Sequence, residues 1–220
     1  MKVLITGGLS NLGSSIAKVF FENGWDVYVT AREKRSFGYG NVIEMDLENP
    51  ESILECKKHF DSLDVLVNNA GIFTEGFQES LSEDDFDKVF SVNVKGLFLV
   101  TKAFLPLLKE SNGAIVNISS INALHPGFGK TAHYDASKGA VSSYTASLAA
   151  ETGLRVNAVA PGLIDVDKLR DSELEKYFCS HSAKKSMVNP LDIAKTVYFL
   201  SLSEGIYGQT ITVDNGYLLF

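Results

Sequence analysis

The chain has 220 residues, 45% of them hydrophobic and 21% charged, which fits one large globular domain and argues against disordered, collagenous and coiled-coil classes. Its 20 Lys and Arg against 27 Asp and Glu leave a net charge of −7, so no nucleic-acid partner is expected. The two cysteines, Cys56 and Cys179, lie far apart without metal-ligand spacing. No metal site or disulfide scaffold is expected, and a reducing, cytoplasmic compartment is. The opening MKVLITGG reaches a glycine turn too soon for a signal peptide, and no run of ~20 apolar residues predicts a membrane span.

In chain order, short apolar or β-branched runs at 3–5, 27–29, 42–45, 63–67, 114–118, 155–159 and 210–213 predict seven strands. Between them, apolar residues recur at three and four over 12–23, 50–60, 82–109, 134–152 and 190–203, which predicts helices. The strand runs are often apolar at consecutive positions, so both faces of the sheet are covered. This alternation predicts an α/β fold, a doubly wound, seven-stranded parallel sheet of Rossmann type with helices on both faces. Eleven residues between Thr30 and Val42, Gly38 and Gly40 among them, leave no room for a full helix in the second crossover. Segment 166–188 is charged and strand-free and lies between the sixth and seventh strands. It predicts a short helical lid, and residues 1–220 then form one domain.

The strand VLIT runs into Gly7, Gly8, Leu9, Ser10, Asn11, Leu12 and Gly13 before a helical stretch. A tight turn at Gly7 and close backbone approach at Gly13 would aim free helix N–H groups at a pyrophosphate; the bland reading is a simple turn. At the end of the second strand stand Ala31 and Arg32, with no acid to accept from a ribose 2′-OH. That pattern favours NADP(H) over NAD(H), with Arg32, and Lys34 or Arg35, on the 2′-phosphate; a solvated basic loop is the alternative. Asp46, beside Leu47 after the third strand, either accepts from adenine or caps a turn.

Tyr134 and Lys138 are spaced i,i+4 at the start of a helix, so both side chains share one face. Ser119 and Ser120 end the strand AIVNI, at the carboxyl edge where open α/β sheets bind ligands. A phenol of pKa ~10 is a weak acid, and a nearby ammonium favours its anion. Tyr134 is therefore a candidate proton donor to a carbonyl oxygen and Ser120 a candidate hydrogen-bond donor to the same oxygen.

These pieces resemble the short-chain dehydrogenase/reductase family of the classical type, and the likeness to 3-oxoacyl reductases within it runs from Val3 to about Gly216. It rests on Thr6, Gly7, Gly8 and Gly13, on Asn68 to Gly71, on Asn93 in NVKG, on Ser119 and Ser120, on the run from Tyr134 to Lys138, and on Pro161 and Gly162. The resemblance implies Tyr134 as acid/base, Lys138 lowering its pKa and holding the nicotinamide ribose, and Ser120 orienting the substrate, with Ser119 as competitor. It implies that Asn93 keeps a helix irregular so that a water joins a proton relay from Lys138. Coenzyme contacts are implied at Gly7, Ser10, Asn11, Leu12, Gly13, Arg32, Asp46, Leu47, Asn69, Ala70, Gly71, Tyr134, Lys138, Pro161, Gly162 and Ile164. A small-molecule ketone or secondary alcohol as substrate, and a homodimer or homotetramer built on helices 95–109 and 134–152, follow from the same likeness. A non-catalytic dinucleotide-binding regulatory or redox-sensing protein is the alternative, and a structural oligomer without nucleotide a third.

The chain departs from the family pattern in four places. Asn11 stands where a glycine is usual, a change that tolerance of left-handed angles would soften. Val166 stands where a threonine often meets the carboxamide, and the gap from Ser120 to Tyr134 is one residue longer than expected. The fourth departure is the short first crossover and lid, which predicts an open adenine side and weaker coenzyme binding. Leu124, His125, Phe128, Phe73, Tyr177 and Phe178 are candidates for the substrate wall, His133 for the pocket rim.

Overall fold

The computed structural model describes residues 1–220. Its strands are β1 (Lys2–Ile5), β2 (Asp26–Ala31), β3 (Asn41–Glu44), β4 (Val65–Asn68), β5 (Ala114–Ile118), β6 (Arg155–Pro161) and β7 (Thr210–Val213). They form one sheet in the order β3-β2-β1-β4-β5-β6-β7, every neighbouring pair parallel. The helices are α1 (Asn11–Glu22), α2 (Pro50–Lys57), α3 (Glu83–Phe90), α4 (Leu97–Glu110), α5 (Ala132–Thr152), α6 (Glu173–His181) and α7 (Pro190–Leu202). All seven expected strands are present, and residues 32–40 hold no helix.

Side chains alternate across the strands, and the two faces carry separate cores. Val3, Ile5, Val27, Val29, Val65, Val67 and Val116 pack on α1 and α7 through Ile16, Phe20, Ile193 and Val197. Leu4, Ile43, Leu66, Ile115 and Val156 face the other way, onto Ile53, Val100, Phe104, Leu108 and Leu148 of α2, α4 and α5. This two-sided burial is why the strand runs read as continuously apolar. The order reverses between β1 and β4, which opens a crevice at their carboxyl ends.

The helix expected over 82–109 is interrupted. Ser91–Gly96 is a π-helical turn between α3 and α4, and Asn93 lies within it. The continuous helical run Glu83–Glu110 reaches a mean hydropathy of 1.3 over an 18-residue window, enough by length and composition to cross a membrane. In this fold it is a core helix, with Val89, Val92, Val100, Phe104 and Leu108 buried.

A buried polar chain ties the sheet to the helices that carry the site. Asn68 donates to Thr101 Oγ1 at 3.0 Å and to Asn117 Oδ1 at 2.9 Å. Asn117 in turn donates to Thr145 Oγ1 at 2.9 Å. Each link satisfies a group that would otherwise be costly to bury. Asn157 has a structural role as well, bonding Ile206 O and accepting from Gln209 N.

Segment 166–188 contains a short 3-10 turn and α6. Phe178 on α6 is fully buried and stacks on Tyr217 at 4.9 Å. It is part of the core rather than the substrate wall, because its ring fills the space beside Gly162, where a Cβ would lie 2.8 Å from it.

Candidate active site

The crevice is cradled by the β1–α1 turn. Gly7 has φ +62°, and a Cβ at Gly13 would lie 2.4 Å from Gly7 O. The backbone here approaches more closely than any other residue would allow. Ser10 caps α1 by accepting from Gly13 N at 3.1 Å. Asn11 is the first residue of α1 and has no positive φ; the expected reliance on left-handed angles does not arise, since the position is ordinary helix. The Leu12 side chain is buried in the core, so only its peptide group faces the helix's open end.

Asn69 and Thr6 hold the other wall. Thr6 Oγ1 accepts from Asn69 N at 3.0 Å and Ala70 N at 2.9 Å, and Asn69 Nδ2 donates to Thr6 O at 2.8 Å and Gly7 O at 3.1 Å. Between the walls lies a cavity of about 240 Å³ that gathers Gly7, Ser10, Arg32, Asp46, Leu47, Asn69, Ala70 and Gly71. Ala31, read from the sequence beside Arg32, lines it too, as do Thr30, Met45, Lys88 and Val92; the sequence carried no signal for these four, since they line it only because β2, the end of β3, α3 and the π-helical turn converge. An adjoining cleft of about 580 Å³ is lined by Arg32 and Arg35, but not Lys34. Arg35 is paired with Glu33 at 3.0 Å, which leaves Arg32 as the free cation. Asp46 Oδ1 accepts from Glu48 N, so it caps its turn as well as lining the cavity. These residues fit a dinucleotide: a glycine cradle without side chains, a helix N-terminus and a cation beyond β2.

Further along the carboxyl edge, α5 presents Tyr134 and Lys138 on one face. Lys138 is buried and donates to Ile118 O at 2.9 Å, with Nζ 5.8 Å from the centre of the Tyr134 ring. A Cβ on Gly71 would lie 3.1 Å from Asn93 Oδ1 and 3.5 Å from Lys138 Nζ, so Gly71 joins the two halves of the crevice. Asn93 bonds both ways with the Ile72 peptide and donates to Ser137 Oγ at 3.1 Å. The Ser119 hydroxyl is turned into α5, bonded to Lys138 O and Ser142 Oγ. The Ser120 hydroxyl instead accepts from Asn122 N at 3.2 Å and sits near enough to the phenol to pull its pKa down. Pro161 ends β6, and Ile164 pairs with Val188 in an isolated parallel bridge. Val188 donates to Leu163 O and accepts from Asp165 N, so the N–H and C=O of Ile164 itself point away from that partner.

Burial dominates the titration of this pair. It pushes the Tyr134 phenol up to about 12; Ser120 pulls it down and the Asp135 charge raises it. Burial likewise brings the Lys138 amine down to about 8. Burial is the largest influence on each group, so in the protein's own surroundings the phenol is raised rather than acidified.

Phe73 meets the Tyr134 ring edge-on at 4.9 Å and is half exposed. Phe128 and Tyr177 form an edge-on pair at 5.3 Å, and Leu124, on the loop after Ser120, is exposed. His125 is exposed and edge-on to Tyr217. His133 is not an exposed rim residue: it is buried, with Nε2 2.7 Å from Thr74 Oγ1, because the segment after β4 packs over it.

A family model described as "Enoyl-(Acyl carrier protein) reductase" matches residues 7–218. The chain is 36% identical to the 3-oxoacyl-[acyl-carrier-protein] reductase FabG of Staphylococcus aureus, over 97% of this chain and 96% of that protein. To the FabG of Chlamydia pneumoniae it is 32% identical, over 98% and 96%. Among solved structures, ElxO with NADP bound superposes with a TM-score of 0.89 at 32% identity, covering 100% of this chain and 99% of that one. The aldohexose dehydrogenase of Thermoplasma acidophilum gives 0.92 at 29%, covering 100% and 94%.

The buried amine has a consequence for stability. Below pH 8 Lys138 is charged in both folded and unfolded chains, and folding bears the cost of burying it. Between about 8 and the ordinary 10.5 the folded chain has released the proton and the unfolded chain has not, so stability rises with pH. Tyr134 acts in the opposite sense only above pH 10, where the unfolded phenol ionises first. In urea titrations from pH 7 to 10, wild type is expected to gain on the order of 2 kcal/mol over Lys138→Met. Identical pH slopes for the two proteins would contradict this account.

Proposed function

The chain belongs to the short-chain dehydrogenase/reductase family, and from that premise we propose that it is an NADP(H)-dependent reductase of ketones, with Tyr134 as the proton donor. The observation that carries the reading is the convergence of Tyr134, Ser120 and Lys138 at the carboxyl edge, next to the glycine cradle. The NADP-bound relative and the free Arg32 beyond β2 support NADP(H). Gly7, Ser10 and the first N–H groups of α1 would hold the pyrophosphate, Arg32 the 2′-phosphate, Asp46 and Leu47 the adenine, Asn69 to Gly71 the adenine ribose, and the Ile164 peptide the carboxamide. Lys138 and Tyr134 would hold the nicotinamide ribose. Bound NADPH supplies the hydride for the carbonyl carbon.

The chain's own residues manage the proton. Ser120 donates to the substrate oxygen and holds it beside the phenol; Tyr134 gives that oxygen its proton as negative charge develops. A phenol raised to about 12 keeps its proton at neutral pH, and an alkoxide is basic enough to take it. That balance suits reduction better than oxidation, which needs the phenolate first. Lys138, in reach of the phenol ring, is the next group to pass on a proton, and the π-helical turn around Asn93 supports a water-linked path beyond it. The half-exposed apolar rim of Phe73, Leu124, Phe128 and Tyr177 suits a ketone with an apolar substituent, a 3-oxoacyl thioester among them.

We further infer a homodimer or homotetramer. Its support is an apolar groove of about 590 Å³ between α3, α4 and α5, lined by Phe90, Val94, Phe98 and Tyr144, together with the exposed Leu219 and Phe220 at the C-terminus. The free Cys56 and Cys179 support a reducing, cytoplasmic setting.

Three measurements test these readings. NADPH oxidation across a carbonyl panel is expected for wild type and lost in Tyr134→Phe, with coenzyme binding retained; undiminished turnover in the variant would sink the assignment. Binding without any carbonyl reduction by wild type would favour the regulatory alternative. Arg32→Ala is expected to raise KM for NADPH about tenfold, the worth of one charge-assisted pair, and to leave NADH nearly unchanged. Equal changes for both coenzymes would remove Arg32 from the 2′-phosphate. Phe98→Glu is expected to reduce the mass seen by light scattering, and an unaltered mass would discard this groove as the interface.

A further inference from the structure

The loop from Ile121 to Thr131 begins one residue after Ser120 and ends three before Tyr134, so both of its ends are attached to the proposed chemistry. The first turn of this loop is set by Ser120, whose hydroxyl accepts from Asn122 N at 3.2 Å. Its remaining length is gathered around one carboxylate. Asp135 Oδ1 accepts from Asn122 Nδ2 at 2.7 Å, and Oδ2 accepts from Gly127 N at 3.0 Å and Thr131 Oγ1 at 3.1 Å.

We propose that Asp135 is a positioning residue for the ketone side of the site, a single carboxylate that ties the 121–131 loop to the helix turn carrying Tyr134. This rests on the reductase reading above. Three donors from separate points of a ten-residue span converge on Asp135, and bonds to an ionised acceptor are the stronger kind. The loop is drawn in so closely that a Cβ on Gly127 would lie 2.4 Å from both Asn122 Nδ2 and Thr131 Oγ1. A chain of contacts then closes on itself: Asp135 holds Asn122, Asn122 is bonded to Ser120, Ser120 faces the phenol of Tyr134, and Tyr134 precedes Asp135. Leu124 and Phe128, both exposed, ride on the tied loop, so the same carboxylate fixes where the apolar rim stands over the cleft.

A purely helix-stabilising role is the competing account, because Asp135 lies near the N-terminus of α5, where any acid is favoured. The two differ in what they move. Asp135→Asn keeps the shape but turns an amide toward two of the donors; Asp135→Ala removes the tie. For both, positioning predicts a KM for ketone at least tenfold higher, a rise larger than any change in kcat, which loss of the Asp135 charge also moves through the phenol, and a dissociation constant for NADPH within twofold of wild type. It also predicts at least tenfold faster hydrogen exchange at the Gly127 amide. Asn122→Ala should give a smaller rise in KM, and adding it to Asp135→Ala should cost little more, since both remove the same link. A variant with lowered melting temperature but unmoved KM, or with raised KM but unmoved Gly127 exchange, would overturn the proposal. If wild type reduces no ketone, the reductase reading has failed, while Gly127 exchange still decides whether Asp135 ties the loop.

Discussion

An ammonium kept inside the protein by one peptide carbonyl is the constraint on which the site depends. Lys138 reaches across from α5 to Ile118 O at the end of β5, and this bond fixes the helix relative to the sheet edge. A helix placed that way puts Tyr134, one turn earlier, over the crevice. The placement is costly, since burial brings the amine down to about 8. Packing alone would favour an apolar side chain there, and groups that bear such a cost cluster at functional sites.

The surrounding polar groups make that placement rigid. Asn117 of β5 holds Thr145 on the buried side of α5, and the Ser119 hydroxyl is turned from the crevice to Lys138 O and Ser142. Asn93 holds Ile72 at both ends of its peptide, and this pairing accompanies the widened helical turn beside Gly71. The two halves of the site, the glycine cradle and the phenol, are thus joined through residues 69–72. The same segment serves both sides, so displacement at one would be felt at the other.

Burial of the phenol inverts the simple expectation about its acidity. An ammonium beside a phenol lowers its pKa in water; here burial is the largest influence on the phenol and raises it, with Ser120 pulling the other way. A proton-retaining Tyr134 is matched to delivering a proton rather than to collecting one.

Much of this was legible from residue order. Two-sided burial produces continuously apolar strands, so the seven strands and their parallel arrangement follow from patterns such as VLVN and AIVNI. The i,i+4 spacing sets Tyr134 and Lys138 on one helix face wherever the helix lies. What residue order could not decide depends on contacts between segments far apart in the chain. Asn11 is ordinary helix because α1 begins there, Phe178 is core because it fills the space beside Gly162, and His133 is buried because Thr74 comes to meet it. The choice between Ser119 and Ser120 as the hydroxyl facing the phenol was likewise decided by tertiary structure, because neighbouring residues leaving a strand point to opposite sides. Local patterns report the period of an element; which group ends up beside which, and how dry that place is, is a property of the packed chain alone.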